Sequence, residues 1–194
     1  WWPKDKILTR YIMGELNQDK GKSMIFTIST QGHSKYPTSN MDMDYKVKLV
    51  DSKLAKQDQN QINYYANQVY EMDLFVRDLK ASLDSRKKNY VLVVYGDHLP
   101  ALNIITRNMS GVDKFSSLFS VIDNMGIKKR SVPKDLQGYQ LSTMVMDLAG
   151  LKYGPMNMVH TYLKDRSDYQ DKMKLVQYDI LFGKRYFLKE SEEP

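Results

Sequence analysis

The chain has 194 residues, 42% of them hydrophobic and 27% charged, which is enough for one domain with a sizeable core. It contains no cysteine, which excludes disulfides, thiolate metal sites and a cysteine nucleophile. No apolar run reaches roughly 18 residues, so no membrane span lies within it, and a net charge of +6 favours anionic partners.

Trp1-Trp2-Pro3 opens the chain in place of a methionine, which marks it as a piece of something longer; no signal peptide is visible. In Lys4–Lys20, Ile7, Leu8, Tyr11, Ile12 and Leu16 recur at helical spacing, with Asp5 as the start and Gly21 as the stop. Ser23–Ser29 reads as a strand rich in β-formers. It leaves into Thr30–Pro37, a loop with Gly32 and Pro37 that carries His33. Thr38–Asn60 is polar and poorly periodic. Asp42 and Asp44 stand close together there, but without a Gly turn or a closing Glu they read as an exposed acidic loop, not a calcium loop. Gln59–Leu83 is the clearest helix. Ile62, Tyr65, Val69, Met72, Phe75, Leu79 and Leu83 mark its inward face.

After a basic turn, Tyr90–Tyr95 is a short apolar run of the kind found in strands buried on both faces. It stops at Gly96, and Asp97, His98 and Pro100 follow. Asn103–Lys114 reads as a loop, Leu118–Asp123 as a third strand and Ser131–Gly138 as a polar connector. Leu141, Met144, Val145 and Leu148 mark a helix ended by Gly150. Tyr169–Tyr178 is amphipathic, with Met173, Val176 and Leu175 inward; Gly183 breaks it, Arg185–Leu188 reads as a last strand and Ser191–Pro194 as a frayed end. Strands alternating with helices predict an α/β fold with a largely parallel sheet flanked by helices, in one domain over residues 1–194. The clusters Arg86-Lys87-Lys88 and Lys128-Lys129-Arg130 lack interleaved aromatics and read as solvated faces, so nucleic acid is not an expected partner.

Of the three histidines, His33 and His98 each follow a predicted strand, and in a parallel sheet both exits open on the same edge. Asp97 adds a hard carboxylate beside the imidazole of His98, an O/N pair that suits Mn, Zn or Mg. Two ligands do not make a catalytic site, which ordinarily has three or more. On the residues alone, Asp97 capping a turn and His98 as a satisfied polar group stay open beside metal binding. His160 lies in a polar segment and reads as structural. No G-x-S-x-G elbow and no Gly-rich phosphate loop supplies a nucleophile.

The run YVLVVYGDHLPAL (90–102) resembles the Gly-Asp-His strand end of the lipoteichoic acid synthase family, sulfatase-like phosphoglycerol transferases of the alkaline phosphatase superfamily. MIFTISTQGHSKYP, the helix YYANQVYEMDLFVRDLKASL, SLFSVIDNMGI with QLSTMVMDLAGL, and LVQYDILFGKRY resemble further family segments in the same order. The resemblance implies an alkaline phosphatase/sulfatase-like fold, incomplete at its N-terminal side. It implies Asp97 and His98 as ligands of Mn²⁺ or Mg²⁺ (Zn²⁺ less so) and His33 at the substrate phosphate. The family's Thr nucleophile and acidic ligand would precede Trp1, so this chain alone would be inactive. A phospholipid headgroup and an anionic polymer or glycolipid acceptor are the implied partners. Membrane contact would come through the missing N-terminal part, on the extracellular face of a bacterial cell membrane. Two departures stand out. Trp1-Trp2-Pro3 replaces a frequent Trp-Gly, and Ser34-Lys35 replaces Gly or Pro, with Lys35 read as exposed. A sulfatase or phosphodiesterase of the same superfamily, or a non-catalytic module binding anionic polymer, are the alternatives.

Overall fold

The computed structural model describes residues 3–50, 53–107, 109–111, 113–128 and 132–189; Trp1, Trp2, Lys129, Arg130 and the Ser191–Pro194 end lie outside them. The chain divides into two compact units, Trp1–Lys88 with Tyr95–Leu118, and Asn89–Val94 with Phe119–Pro194.

In the first unit, α1 (Lys6–Gln18) begins at Asp5 as the spacing predicts. Asp5 does not cap with its side chain; its carboxylate and amide are taken by Gln31 instead. At the other end, Arg86 donates from Nη2 to the Leu16 carbonyl at 2.6 Å, satisfying a group that α1 leaves without a helical partner. The long helix α2 (Lys56–Ser85) has two characters. Its C-terminal half buries Phe75, Leu79 and Leu83, as the apolar spacing predicts. Its N-terminal half buries the amides Asn60, Asn67 and Gln68, while Val69 is exposed, against its place in the predicted core.

Those amides explain how the unpatterned stretch before α2 is held. Asn60 donates to the Thr38 carbonyl at 2.8 Å, and Asn63 accepts from the Leu49 amide at 2.6 Å. Asn67 accepts from the amides of Lys46 and Val47 at 2.7 and 3.1 Å and donates to the Val47 carbonyl at 2.6 Å. Backbone groups that no sheet or helix satisfies are paired with side chains of one helix face.

The sheet differs from expectation. Among the described residues it has two strands, β1 (Val91–Tyr95) and β2 (Phe119–Asp123). They run antiparallel: the Gly96 amide bonds Leu118 and the Tyr90 amide bonds Asn124, so pairing advances along one strand and recedes along the other. The largely parallel arrangement is therefore not present among the described residues. With a single neighbour, Val91–Val94 are half-buried and not covered on both faces. Residues 23–29 have no regular secondary structure and belong to no described ladder; Met24, Phe26 and Ile28 are 77%, 67% and 72% exposed. Strand propensity alone builds no strand there, because a ladder needs a second backbone to accept its bonds.

In the second unit, α4 (Leu141–Ala149) ends on left-handed Gly150 (φ 63°) as predicted. The helix α5 (Pro155–Tyr162) was not anticipated; it starts on Pro155, whose missing N–H costs nothing at a first helical position. α6 (Tyr169–Leu181) packs Tyr169, Met173 and Val176 against Val159, while Leu175 faces out, correcting its inward assignment. The run after Gly183 is helical, α7 (Tyr186–Lys189), not a strand, with the Phe187 amide donating to Asp179 at 3.2 Å. The predicted Asn103–Lys114 loop contains a short helix, α3 (Asn103–Thr106). No helix among the described residues is long and apolar enough to cross a membrane.

Candidate functional site

Gly96 ends β1 with its amide donating to the Leu118 carbonyl at 3.1 Å. A Cβ on Gly96 would lie 2.2 Å from Ser117 Oγ, so a larger residue there would force that side chain to shift. The chain then turns, and the Leu99 amide donates to the Lys114 carbonyl at 2.8 Å. Asp97 and His98 lie between these two anchors. The carboxylate is 81% exposed, and its Oδ1 sits 3.6 Å from His98 Nε2.

The neighbouring carbonyl sets the chemistry of the His98 ring. Nδ1 lies 2.8 Å from the Leu99 carbonyl, which can only accept, so Nδ1 carries the proton. In the neutral ring Nε2 then holds a lone pair, turned toward another acceptor, the Asp97 carboxylate. Two ligands of one cation with bonds near 2.1 Å stand about 3.0 Å apart in an octahedron and about 3.4 Å apart in a tetrahedron. The observed 3.6 Å is near the tetrahedral separation and wider than the octahedral one. Among the described residues, no group of three His, Asp or Glu side chains is arranged to hold a metal.

The structure brings His33 to this pair. Its ring centroid is 6.0 Å from that of His98, with the planes at 81°. His33 Nδ1 lies 3.0 Å from the Ser34 carbonyl, which fixes the same tautomer as in His98. Donation from His33 Nε2 therefore requires the cationic ring, a form suited to a phosphate oxygen. Lys35 is exposed, as expected. Asp44 pairs with Lys46 on the surface, so the Asp42/Asp44 stretch keeps its reading as an ordinary acidic loop.

Sequence reasoning missed two buried polar residues beneath these side chains. Gln31 is 3% exposed and spends its whole amide: Oε1 accepts from the Asp5 amide at 2.7 Å, and Nε2 donates to Gln68 at 3.2 Å and to Glu71. Tyr36 donates to the Gly32 carbonyl at 3.1 Å and stacks edge-on against Tyr65. Burial pushes the Tyr36 phenol up to about 12. Spacing gave no sign of either role, since the Gln31 bonds and the Tyr36–Tyr65 ring contact reach partners far away in sequence.

His160 is apart from this site in character. It is 6% exposed, in the second unit, with Nδ1 2.7 Å from the Tyr169 hydroxyl. Desolvation lowers its pKa, and burial raises that of Tyr169.

Comparison with known proteins places these residues in context. The sulfatase family profile matches residues 1–144. A protein of Rhizobium meliloti (strain 1021), named a putative cyclic beta-1,2-glucan modification protein, is 29% identical over 111 residues, covering 56% of this chain. The aligned part is 17% of that relative's length. No solved structure matches the chain.

Proposed function

The chain belongs to the sulfatase family, within the alkaline phosphatase superfamily, and from that premise we propose that it is part of a metal-dependent phosphotransferase. The enzyme moves phosphoglycerol, or a similar phospholipid headgroup, to a cell-envelope polymer or glycolipid. This is the chemistry of the lipoteichoic acid synthase family that the Gly-Asp-His run resembles. A relative named for modifying a cyclic glucan supports a carbohydrate acceptor. The net charge of +6 suits an anionic membrane surface, and the extracellular face of the membrane is the proposed location.

The observation that carries the reading is the Asp97–His98 pair with His33 beside it. Asp97 and His98 would hold Mn²⁺ or Mg²⁺, with Zn²⁺ less suited. When bound, the cation supplies Lewis acidity that favours an alkoxide and offsets charge on the phosphoryl oxygens. His33 binds the substrate phosphate through its cationic ring. The nucleophile in this reading is a Thr outside these 194 residues, so the chain by itself is inactive. Hydrolysis by a sulfatase or phosphodiesterase of the same superfamily is the second reading, favoured by the family match itself; water in place of the polyol acceptor distinguishes it.

Mn²⁺ titration followed by electron paramagnetic resonance tests the site. Wild-type protein is expected to bind, and Asp97→Ala and His98→Ala each to weaken binding at least tenfold. No binding by wild type, or equal binding by Asp97→Ala, overturns the metal assignment and leaves a non-catalytic module that binds anionic polymer.

A further inference from the structure

His98 is held between the anchors at the end of β1, but His33 has no such strand behind it. His33 follows an exposed, unpaired stretch, and its own side chain lies at the surface. A loop leaving such a stretch has no inherited orientation. Yet its ring lies 6.0 Å from that of His98. Something must fix that separation.

Two buried side chains bracket His33. On one side Gln31 enters the space between α1 and α2. Its carbonyl oxygen takes the Asp5 amide, its two N–H groups reach Gln68 and Glu71, and its backbone amide donates to Asp5 Oδ1 at 3.4 Å. Only an uncharged side chain with one acceptor and two donors matches this set; glutamate lacks the donors and methionine lacks both. Gly32 follows without a Cβ, which would lie 2.9 Å from Met72 Sδ. On the other side Tyr36 is 7% exposed, and its hydroxyl bonds back across His33 to the start of the same loop. It donates to the Gly32 carbonyl at 3.1 Å, closing the loop on itself. The Tyr36 carbonyl in turn accepts from Gln61 of α2 at 3.2 Å.

We propose that Gln31 and Tyr36 are positioning residues: Gln31 locks the His33 loop onto α1 and α2, and Tyr36 closes that loop across His33 and ties it to α2, so that the His33 ring is held beside that of His98. The two histidines are thereby spaced for one ligand before any ligand arrives. Preorganisation of this kind spares a site the cost of ordering on binding. The inference deepens the metal and phosphate reading above, but its first readout does not depend on it.

The test is nuclear magnetic resonance on the whole protein with labelled histidines. Wild type is expected to give a cross-relaxation signal between the His33 and His98 rings. Tyr36→Phe, which keeps the ring and its packing, is expected to lose that signal, as is Gln31→Met. Asn67→Ala serves as the control. Asn67 is equally buried on α2 but ties a different loop, so its loss should leave the His33–His98 signal intact. If Gln31→Met does not fold, Tyr36→Phe still decides. A folded Tyr36→Phe or Gln31→Met with the signal unchanged overturns the assignment, as does loss of the signal in Asn67→Ala. Added Mn²⁺ supplies the second readout. It should broaden both rings in wild type and only His98 in the two loop variants. Absence of Mn²⁺ broadening in every variant would sink the metal reading while leaving the ring–ring signal to judge Gln31 and Tyr36.

Discussion

The three histidines divide between two kinds of surroundings, and the contrast separates a site from a core. In the first unit, His33 and His98 are exposed side chains on loops whose supporting residues are buried. Their Nδ1 atoms each lie beside the next carbonyl, which fixes the same tautomer in both neutral rings. In the second unit, His160 is itself buried and its Nδ1 is engaged by Tyr169 from inside the packing. Identical side chains thus stand exposed where the scaffold lies below them and packed where they are the scaffold.

The largest effect that would break this comparison is on metal affinity. Replacing His98 by Ala should cost at least tenfold in Mn²⁺ binding, and Asp97→Ala at least as much, because each removes a ligand outright. His160→Gln should leave Mn²⁺ binding unchanged within error. Equal losses from all three, read by titration, would show that the exposed and buried histidines are not distinct in role.

Next in size is the turn that presents Asp97 and His98. Gly96→Ala places a methyl 2.2 Å from Ser117 Oγ and 3.3 Å from its Cβ. Overpacking of this sort typically costs about 1–3 kcal/mol. Ser117→Ala removes the closer atom, so the double variant should recover part of the loss in a urea melt. A Gly96→Ala protein as stable as wild type, or a double variant no better than the single, would mean that the close approach does not hold the turn.

Much of this was legible in the sequence, and the failures have physical causes. Helices with one apolar stripe are visible because burial follows their period, as with Phe75, Leu79 and Leu83 on α2 and Met173 and Val176 on α6. The strand exit carrying Asp97 and His98 is visible because Gly96 punctuates an apolar run. The juxtaposition of His33 and His98 was reached from the premise of a parallel sheet. That premise is not met among the described residues, and the two rings are brought together by loop contacts instead. The amide-lined half of α2 was read as apolar core at Val69, because polar residues facing inward have no period of their own. Their partners are backbone groups of distant loops. Residues 23–29 illustrate the converse: β-propensity is a property of the segment, and a sheet is a property of its neighbours.

The smallest expected effect belongs to His160 and is a dependence on pH. Gln140 donates to the Tyr169 hydroxyl at 3.2 Å, which directs the Tyr169 proton toward His160 Nδ1 at 2.7 Å. The neutral imidazole accepts it; a protonated Nδ1 would present a second donor to that bond. The Tyr139 ring, 5.5 Å away, adds no negative charge to favour the cation. Desolvation accordingly holds the folded-state pKa below the ordinary value of about 6.5. The unfolded chain therefore binds the proton first as pH falls, and stability contributed by neutral His160 is present above about pH 6.5 and drains away below it. The slope is less than one proton per molecule, so the loss is gradual. Urea midpoints measured between pH 8 and pH 5 should fall in wild type and fall less in His160→Gln. A His160→Gln curve parallel to wild type through that window would place the proton uptake elsewhere and remove the distinction between the buried histidine and the exposed pair.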